Sequence, residues 1–307
     1  MALAIIIMVS AVSVSYGKKA KNEPQVKYVF YLIGDGMGIN AVSGTEIYNR
    51  YTGNGPEQVN FLHFPVRTQV NTNSASTLVT GSAAAATALA SGLKTYTGAI
   101  GVDTDRNPVG NIAEWAKASG AGVGIATSVA INHATPAAFY AHVSNRDSYD
   151  PISRQLIHSD VVDFAAGAGF LTERNVGLDA TFYEQEARGE GIKVFYGAES
   201  FGNVKTEYDR VLCLGGKDLK ELPFAIDRKE GDTALKDFVT VGIDYLYGRF
   251  AEKGFFSRDE IKKLRQVDSF LQGHPDMKGT PGVDMTTGSL GLGVSAACGM
   301  ALAAKID

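Results

Sequence analysis

The chain has 307 residues, 45% of them hydrophobic, enough for a sizeable core in one large domain or two smaller ones. A formal net charge of −4 excludes the basic footprint of a nucleic-acid binder and any basic membrane patch. Two cysteines, Cys213 and Cys298, cannot make a disulfide framework, and neither lies in a CxxC motif.

The chain opens on "ALAIIIMVSAVSVSY", an apolar run shorter than the roughly twenty residues of a membrane span. Its length, and the small residues before "GKKAKNEPQVK", predict an export leader over residues 1–17, cut near Ser15 or Gly17, and a polar linker over 18–27. No Lys or Arg precedes the run, so the alternative is a buried strand or short helix. "YVFYLIGDGMG" (28–38) reads as a buried parallel strand ending in a glycine turn, and "NAVSGTEIYNRY" as a helix. "FPVRTQVNT" is strand-like. "VTGSAAAATALASG" is a helix opening at Ser82 and closing at Gly92, and "NIAEWAKASG" a short amphipathic helix with a glycine stop. "AGVGIATSVAIN" is another buried strand. After Leu171 come a helix and strand in "DATFYEQEARGEGIKVFYGAES", then a periodic helix in "GDTALKDFVTVGIDYLYGRF". Apolar strands alternating with helices give an α/β fold with a mostly parallel sheet.

Three segments carry chemistry. Asp35 follows the first strand, at the edge where open α/β sheets bind ligands, although Asp-Gly is also a good turn dipeptide. Ser82 is either an N-cap or a nucleophile at a helix N-terminus, where free N–H groups favour phosphate. His133 and Thr135 stand two apart behind a strand and can meet one divalent ion. They can equally open a helix, with Thr135 as cap and Pro136 at the first position. Arg146 can clamp a phosphate bidentately, which lysine cannot. His142 reads as a helix-face residue.

"YLIGDGMG", "TGSAAAATALASGLKTYTGAIGVD" and "HATPAAFYAHVSNR" together resemble the alkaline phosphatase family, in order and spacing, from about residue 28 to 250. The resemblance implies that Ser82 is a metal-activated nucleophile passing through a phosphoseryl intermediate, and that Arg146 holds the substrate phosphate. It implies that Asp35 is shared between a zinc and a magnesium site, that Ser82 Oγ coordinates that zinc, and that His133 and Thr135 serve a third metal. It also implies phosphate monoesters as substrates and leaves room for a homodimer. The chain departs from the pattern twice. Gly81 replaces the Asp that many members carry before the nucleophile. His133 stands where others carry Asp, which admits zinc or cobalt at the third site and leaves magnesium little to add.

The family also takes Asp, Glu and His ligands from its carboxyl-terminal half, after a "KGFF"-like strand. Here "KGFF" is followed by a run with one histidine, His274. "LQGHPDMKGTPGVDMTTGSLG" instead resembles the thiamine-diphosphate-binding part of transketolase, with His274 on the substrate side and "GSLGLG" as the glycine loop. The expected organisation is therefore a chimera. Residues 28–252 form an incomplete alkaline phosphatase domain, and residues 253–307 a short, mainly helical, transketolase-like fragment too small to build a thiamine site. The expected function is a phosphate monoester hydrolase, exported to the periplasm or outside the cell and inactive in this chain for want of ligands. A non-catalytic metal or phosphate binder and a transketolase fragment are the alternatives.

Overall fold

The computed structural model describes residues 3–9, 28–53, 55–173, 176–217 and 219–252. The helices expected in the tail lie outside the described residues, as does Cys298. In chain order the elements are β1 (Leu3–Val9), β2 (Tyr28–Gly34), α1 (Ile39–Thr52), α2 (Ser82–Ser91), α3 (Ile112–Ala118), β3 (Gly122–Thr127), α4 (Ala134–Ala137), α5 (Tyr149–His158), β4 (Phe164–Gly167), α6 (Ala180–Gly189), β5 (Lys193–Tyr196), β6 (Val211–Leu214) and α7 (Leu235–Glu252).

Six strands form one sheet in the order β2-β1-β3-β4-β6-β5. From β3 to β5 every neighbour is parallel. β1 runs antiparallel to both β2 and β3, so those two share a direction and bring their carboxyl ends to one edge. The sheet is thus mostly parallel, as expected. Residues 3–9, within the expected leader, supply the strand between β2 and β3.

Helices cover both faces because the strands are apolar on both. In β2, Val29, Tyr31 and Ile33 pack against the cluster holding Ala83, Ile125, Phe139 and Tyr183. Tyr28, Phe30 and Leu32 pack against the cluster built on Phe164, Phe238 and Tyr245. That is the two-residue alternation of a strand between two layers. The α7 helix supplies the second layer through Phe238, Val241, Tyr245 and Leu246. Burial of each such side chain is worth roughly 1.5–3 kcal/mol, so α7 is bound to the sheet by packing. Its aromatic Tyr247 also stacks on Tyr28, centroids 4.9 Å apart.

Two polar devices fix the helices on the sheet. The α3 helix begins with a capping box: Asn111 accepts from the Ala113 and Glu114 N–H groups, and Glu114 accepts from the Asn111 N–H. Asp163, 6% exposed, takes Lys117 at 2.7 Å and the Val123 N–H at 2.8 Å, tying the α3 end to β3 and β4.

The strand expected in "FPVRTQVNT" is absent. Residues 64–72 form no strand, and Val66 and Val70 are exposed. The alternation is there, but no sheet edge pairs with it, and a strand without a partner gains no ladder.

Candidate active site

The site lies where β2 and β3 end. The β2 strand turns at Asp35, where Gly36 takes φ +68° and the Met37 N–H returns to the Gly34 carbonyl at 3.1 Å. The turn leaves Asp35 half-buried. Past β3 the chain crosses the end of β4, with the Ile131 N–H on the Gly169 carbonyl and the Ala168 N–H on the Val129 carbonyl. Only glycine fits at 167, because a Cβ there would stand 2.9 Å from the Ile131 nitrogen. This crossing carries His133 and Thr135 to the same edge as Asp35.

Both oxygens of Asp35 are used. Ser82 Oγ donates to Oδ1 at 3.1 Å, and Thr135 Oγ1 donates to Oδ2 at 2.8 Å. Neither hydroxyl caps a helix, which corrects one reading of each. Gly81 is the N-cap of α2 and makes no side-chain cap bond, so Ser82 is the first helical residue. His133 holds the N-cap position of the four-residue α4, and Thr135 lies inside it. In both cases the carboxylate offers the hydroxyl a stronger, charge-assisted acceptor.

Arg146 is set by its backbone. The Ile100 and Val143 N–H groups exchange bonds with each other's carbonyls at 2.9 Å, and the Arg146 N–H donates to the Gly98 carbonyl at 2.8 Å. Its guanidinium donates from Nη2 to His133 Nε2 at 3.2 Å. Arginine has no acceptor, so His133 must be neutral there with its proton on Nδ1. Burial first, then the Arg146 charge, holds the His133 pKa below the usual histidine range, and Asp35 opposes the shift. The Nδ1 atom is buried without a partner.

Asp35, Ser82, His133, Thr135 and Arg146 are therefore brought together. His142 is not among them, nor is it on a helix face. It follows α4 and bridges the Gly101 carbonyl at 2.6 Å and Glu114 at 2.7 Å. Sequence reasoning missed Gly98, whose φ of +93° sets the carbonyl that holds Arg146. The "YTGAIG" glycines were the available signal. It also missed the Ser74, Thr77 and Thr97 hydroxyl cluster beside Gly81. Ser74 Oγ lies 2.9 Å from Thr77 Oγ1 and 3.0 Å from Thr97 Oγ1, tying the loop before α2 to the one holding Arg146.

For a metal the donor set fits on one side. Asp35, Ser82 and Thr135 offer oxygens, and the buried His133 ring offers Nδ1 as a ligand only in the other tautomer, with the proton on Nε2 and the Arg146 bond given up. Among the described residues no group of three His, Cys, Asp or Glu could hold a metal ion. A zinc site uses at least three protein ligands, so Asp35 and His133 do not by themselves complete one.

Residues 26–167 match the family model "Alkaline phosphatase", and residues 243–306 match "Transketolase, thiamine diphosphate binding domain". The second match begins inside α7, ahead of the junction at "AEKGFF". The repressible alkaline phosphatase of Saccharomyces cerevisiae is 32% identical over 72% of this chain and 43% of its own length. Alkaline phosphatase 4 of Bacillus subtilis is 30% identical over 78% of this chain and 51% of its own. The chain thus spans about half the length of these curated relatives. Among solved structures, the cold-active alkaline phosphatase of a psychrophilic Shewanella superposes with a TM-score of 0.58 and 30% identity, over 70% of this chain and 52% of that one. A variant of the alkaline phosphatase from the Antarctic bacterium TAB5, with Mg bound in its M3 site, shares the fold at 22% identity and a TM-score of 0.53, over 88% of this chain and 70% of that one. The chain is accordingly alkaline phosphatase-like in sequence and fold through the edge that carries Asp35 and Ser82, and similar to transketolase toward its carboxyl end.

Proposed function

We propose that residues 28–252 are the front part of a phosphate monoester hydrolase of the alkaline phosphatase type. The observation that carries this reading is the convergence of the Ser82 and Thr135 hydroxyls on the two oxygens of Asp35. Ser82 Oγ attacks phosphorus and the ester oxygen leaves as the alcohol, giving phosphoserine. Water then displaces the serine and releases phosphate. Serine is a weak nucleophile at its ordinary pKa. The hydroxyl sits at the start of a ten-residue helix, whose free N–H groups favour the negative phosphate. Arg146 supplies a planar fork for the remaining phosphate oxygens.

Asp35 and Ser82 would hold a zinc ion, and Asp35, His133 and Thr135 a third metal, either magnesium or, given the imidazole, zinc or cobalt. When bound, zinc supplies the charge that makes a serine alkoxide accessible at working pH. The partial donor set supports the further reading that this chain alone turns nothing over. Residues 1–17 act as a leader that sends it to the periplasm or outside the cell.

The test is release of phosphate from a chromogenic monoester with zinc and magnesium present, Ser82→Ala serving as control. No turnover above Ser82→Ala is expected from this chain. Grafting the second half of a relative after residue 252 is expected to restore Ser82-dependent turnover. A graft that folds and stays inactive would remove Ser82 from its role.

A further inference from the structure

The His142 ring faces an acceptor on each side. Nδ1 lies 2.6 Å from the Gly101 carbonyl oxygen, and Nε2 lies 2.7 Å from Glu114 Oε1. A backbone carbonyl has no hydrogen to give, so Nδ1 carries a proton. Glu114 Oε2 already accepts the Asn111 N–H at 3.0 Å, so both carboxylate oxygens are placed as acceptors, the pattern of the ionised form. Nε2 then carries a proton as well, and 2.7 Å lies in the range of a charge-assisted N–H···O bond. His133 is the opposite case, since its Nε2 faces a guanidinium that can only donate.

Among the described residues, Glu114 of α3 is the one ion-pair partner of His142. The α5 helix meets the His142 backbone with the uncharged Gln155. Its Oε1 accepts the His142 N–H at 2.8 Å, and its Nε2 donates to the His142 carbonyl at 3.4 Å.

Gly101 is where this strut reaches the site. Its N–H donates to Thr87 Oγ1 at 3.0 Å, and Thr87 shares α2 with Ser82. Its carbonyl takes the His142 ring and the Val109 N–H. Beyond His142, Val143 exchanges backbone bonds with Ile100, and the Arg146 N–H reaches the Gly98 carbonyl. Glycine at 101 lets the ring come this close, because a Cβ would stand 2.8 Å from His142 Nδ1.

We propose that His142 holds both ring protons in the folded chain, and that this imidazolium, paired with Glu114, is a positioning residue that fixes the segment carrying Arg146 to the helix carrying Ser82 through Gly101. Its service to phosphate chemistry rests on the roles proposed above for Ser82 and Arg146. The protonation state and the mechanical tie do not.

The experiment reads the full chain by nitrogen-15 NMR of the His142 ring at about pH 7, where an ordinary histidine is mostly neutral. Protons on both ring nitrogens are expected. A single ring proton overturns the proposal. Glu114→Gln keeps the capping box, because its amide oxygen can still accept the Asn111 N–H. Its NH2 then faces Nε2, so that atom is expected to lose its proton while Nδ1 keeps its own. A ring that stays doubly protonated in Glu114→Gln overturns the pairing. Amide exchange reads the tie. In His142→Leu, exchange at Ile100, Val143 and Arg146 is expected to speed by about tenfold. In Glu114→Gln, which retains the Gly101 bond, it is expected to stay within about twofold of the parent chain. Unchanged exchange in His142→Leu overturns the positioning role. Both measurements are made without metal or phosphate ester, so they stand if the phosphatase reading falls.

Discussion

Thr135 and Asp35 lie 100 residues apart in sequence and 2.8 Å apart through Oγ1 and Oδ2. A carboxylate that already holds two hydroxyls is poised to exchange them for a cation, because an ionised carboxyl group accepts on both oxygens. Asp35→Asn removes the charge and turns one acceptor into a donor. Zinc binding followed by calorimetry is expected to weaken at least about tenfold, the lower range for disturbing a metal-site partner. Equal affinity in both proteins would show that Asp35 is no ligand.

His133 gives a pH prediction with a definite sign. Its folded pKa is lowered by burial and by Arg146, so below pH about 6.5 the unfolded chain binds the proton and the folded chain does not. Stability contributed by the neutral ring is complete above that pH and declines as pH falls toward the lowered folded value. NMR titration is expected to place His133 below the ordinary range. In Arg146→Ala its pKa should rise, yet remain below that range, since burial is the larger cause. A titration unmoved by Arg146→Ala would exclude the contact with His133.

Gly101 is the weak point behind Arg146. Its φ is +60°, and a Cβ would stand 2.2 Å from the Ala141 carbonyl oxygen and 2.8 Å from His142 Nδ1. Gly101→Ala is expected to cost about 2–4 kcal/mol in chemical denaturation, combining left-handed strain with a backbone clash. A loss under about 1 kcal/mol, the low end of left-handed strain alone, would mean the loop has room.

Gly81 behaves oppositely. Its φ is −109°, and a Cβ would meet only Thr97 Cγ2 at 3.8 Å. Aspartate is a preferred N-cap, so Gly81→Asp should fold and gain a few tenths of a kcal/mol. The denaturation midpoint decides: a decrease larger than about 1 kcal/mol would show that the negative charge so near Asp35 outweighs the cap.

Asp163→Ala leaves the Val123 N–H buried without an acceptor and Lys117 without its partner. The expected loss is about 2–3 kcal/mol. Asp163→Asn, which keeps one acceptor, should lose less. Equal losses for the two would place the whole effect in the ion pair.

Much of the fold was legible because it is written in long apolar runs and glycine stops. The residues of α1, α3, β3 and α7 fall where periodicity put them. β4 and β6 were missed because each has four residues, FAAG and VLCL, too few for any period to appear. "FPVRTQVNT" misled for the converse reason: alternation is a local property, and a strand needs a partner that local sequence does not announce. At the site, the residue types and their convergence on one edge were legible from strand ends and from likeness to a family. Their hydrogen-bond roles were not. Ser82 and Thr135 both read as caps, and the acceptor that claims them stands on a strand far away in sequence. The place of Leu3–Val9 was ambiguous, since one composition satisfies both a leader and a strand enclosed by helices.

The register of β1 has a practical corollary. Leu3 pairs with Gly34, the residue before Asp35, and Ala4 with Thr127 at the end of β3. Any affinity tag or fusion partner attached ahead of Leu3 therefore leaves the sheet on the rim beside the serine and the carboxylate. Such an appendage would sit beside the opening proposed for a phosphate ester and, if it carries histidines, would bring foreign metal ligands to an edge that offers few of its own. Purification handles belong away from this end of the polypeptide.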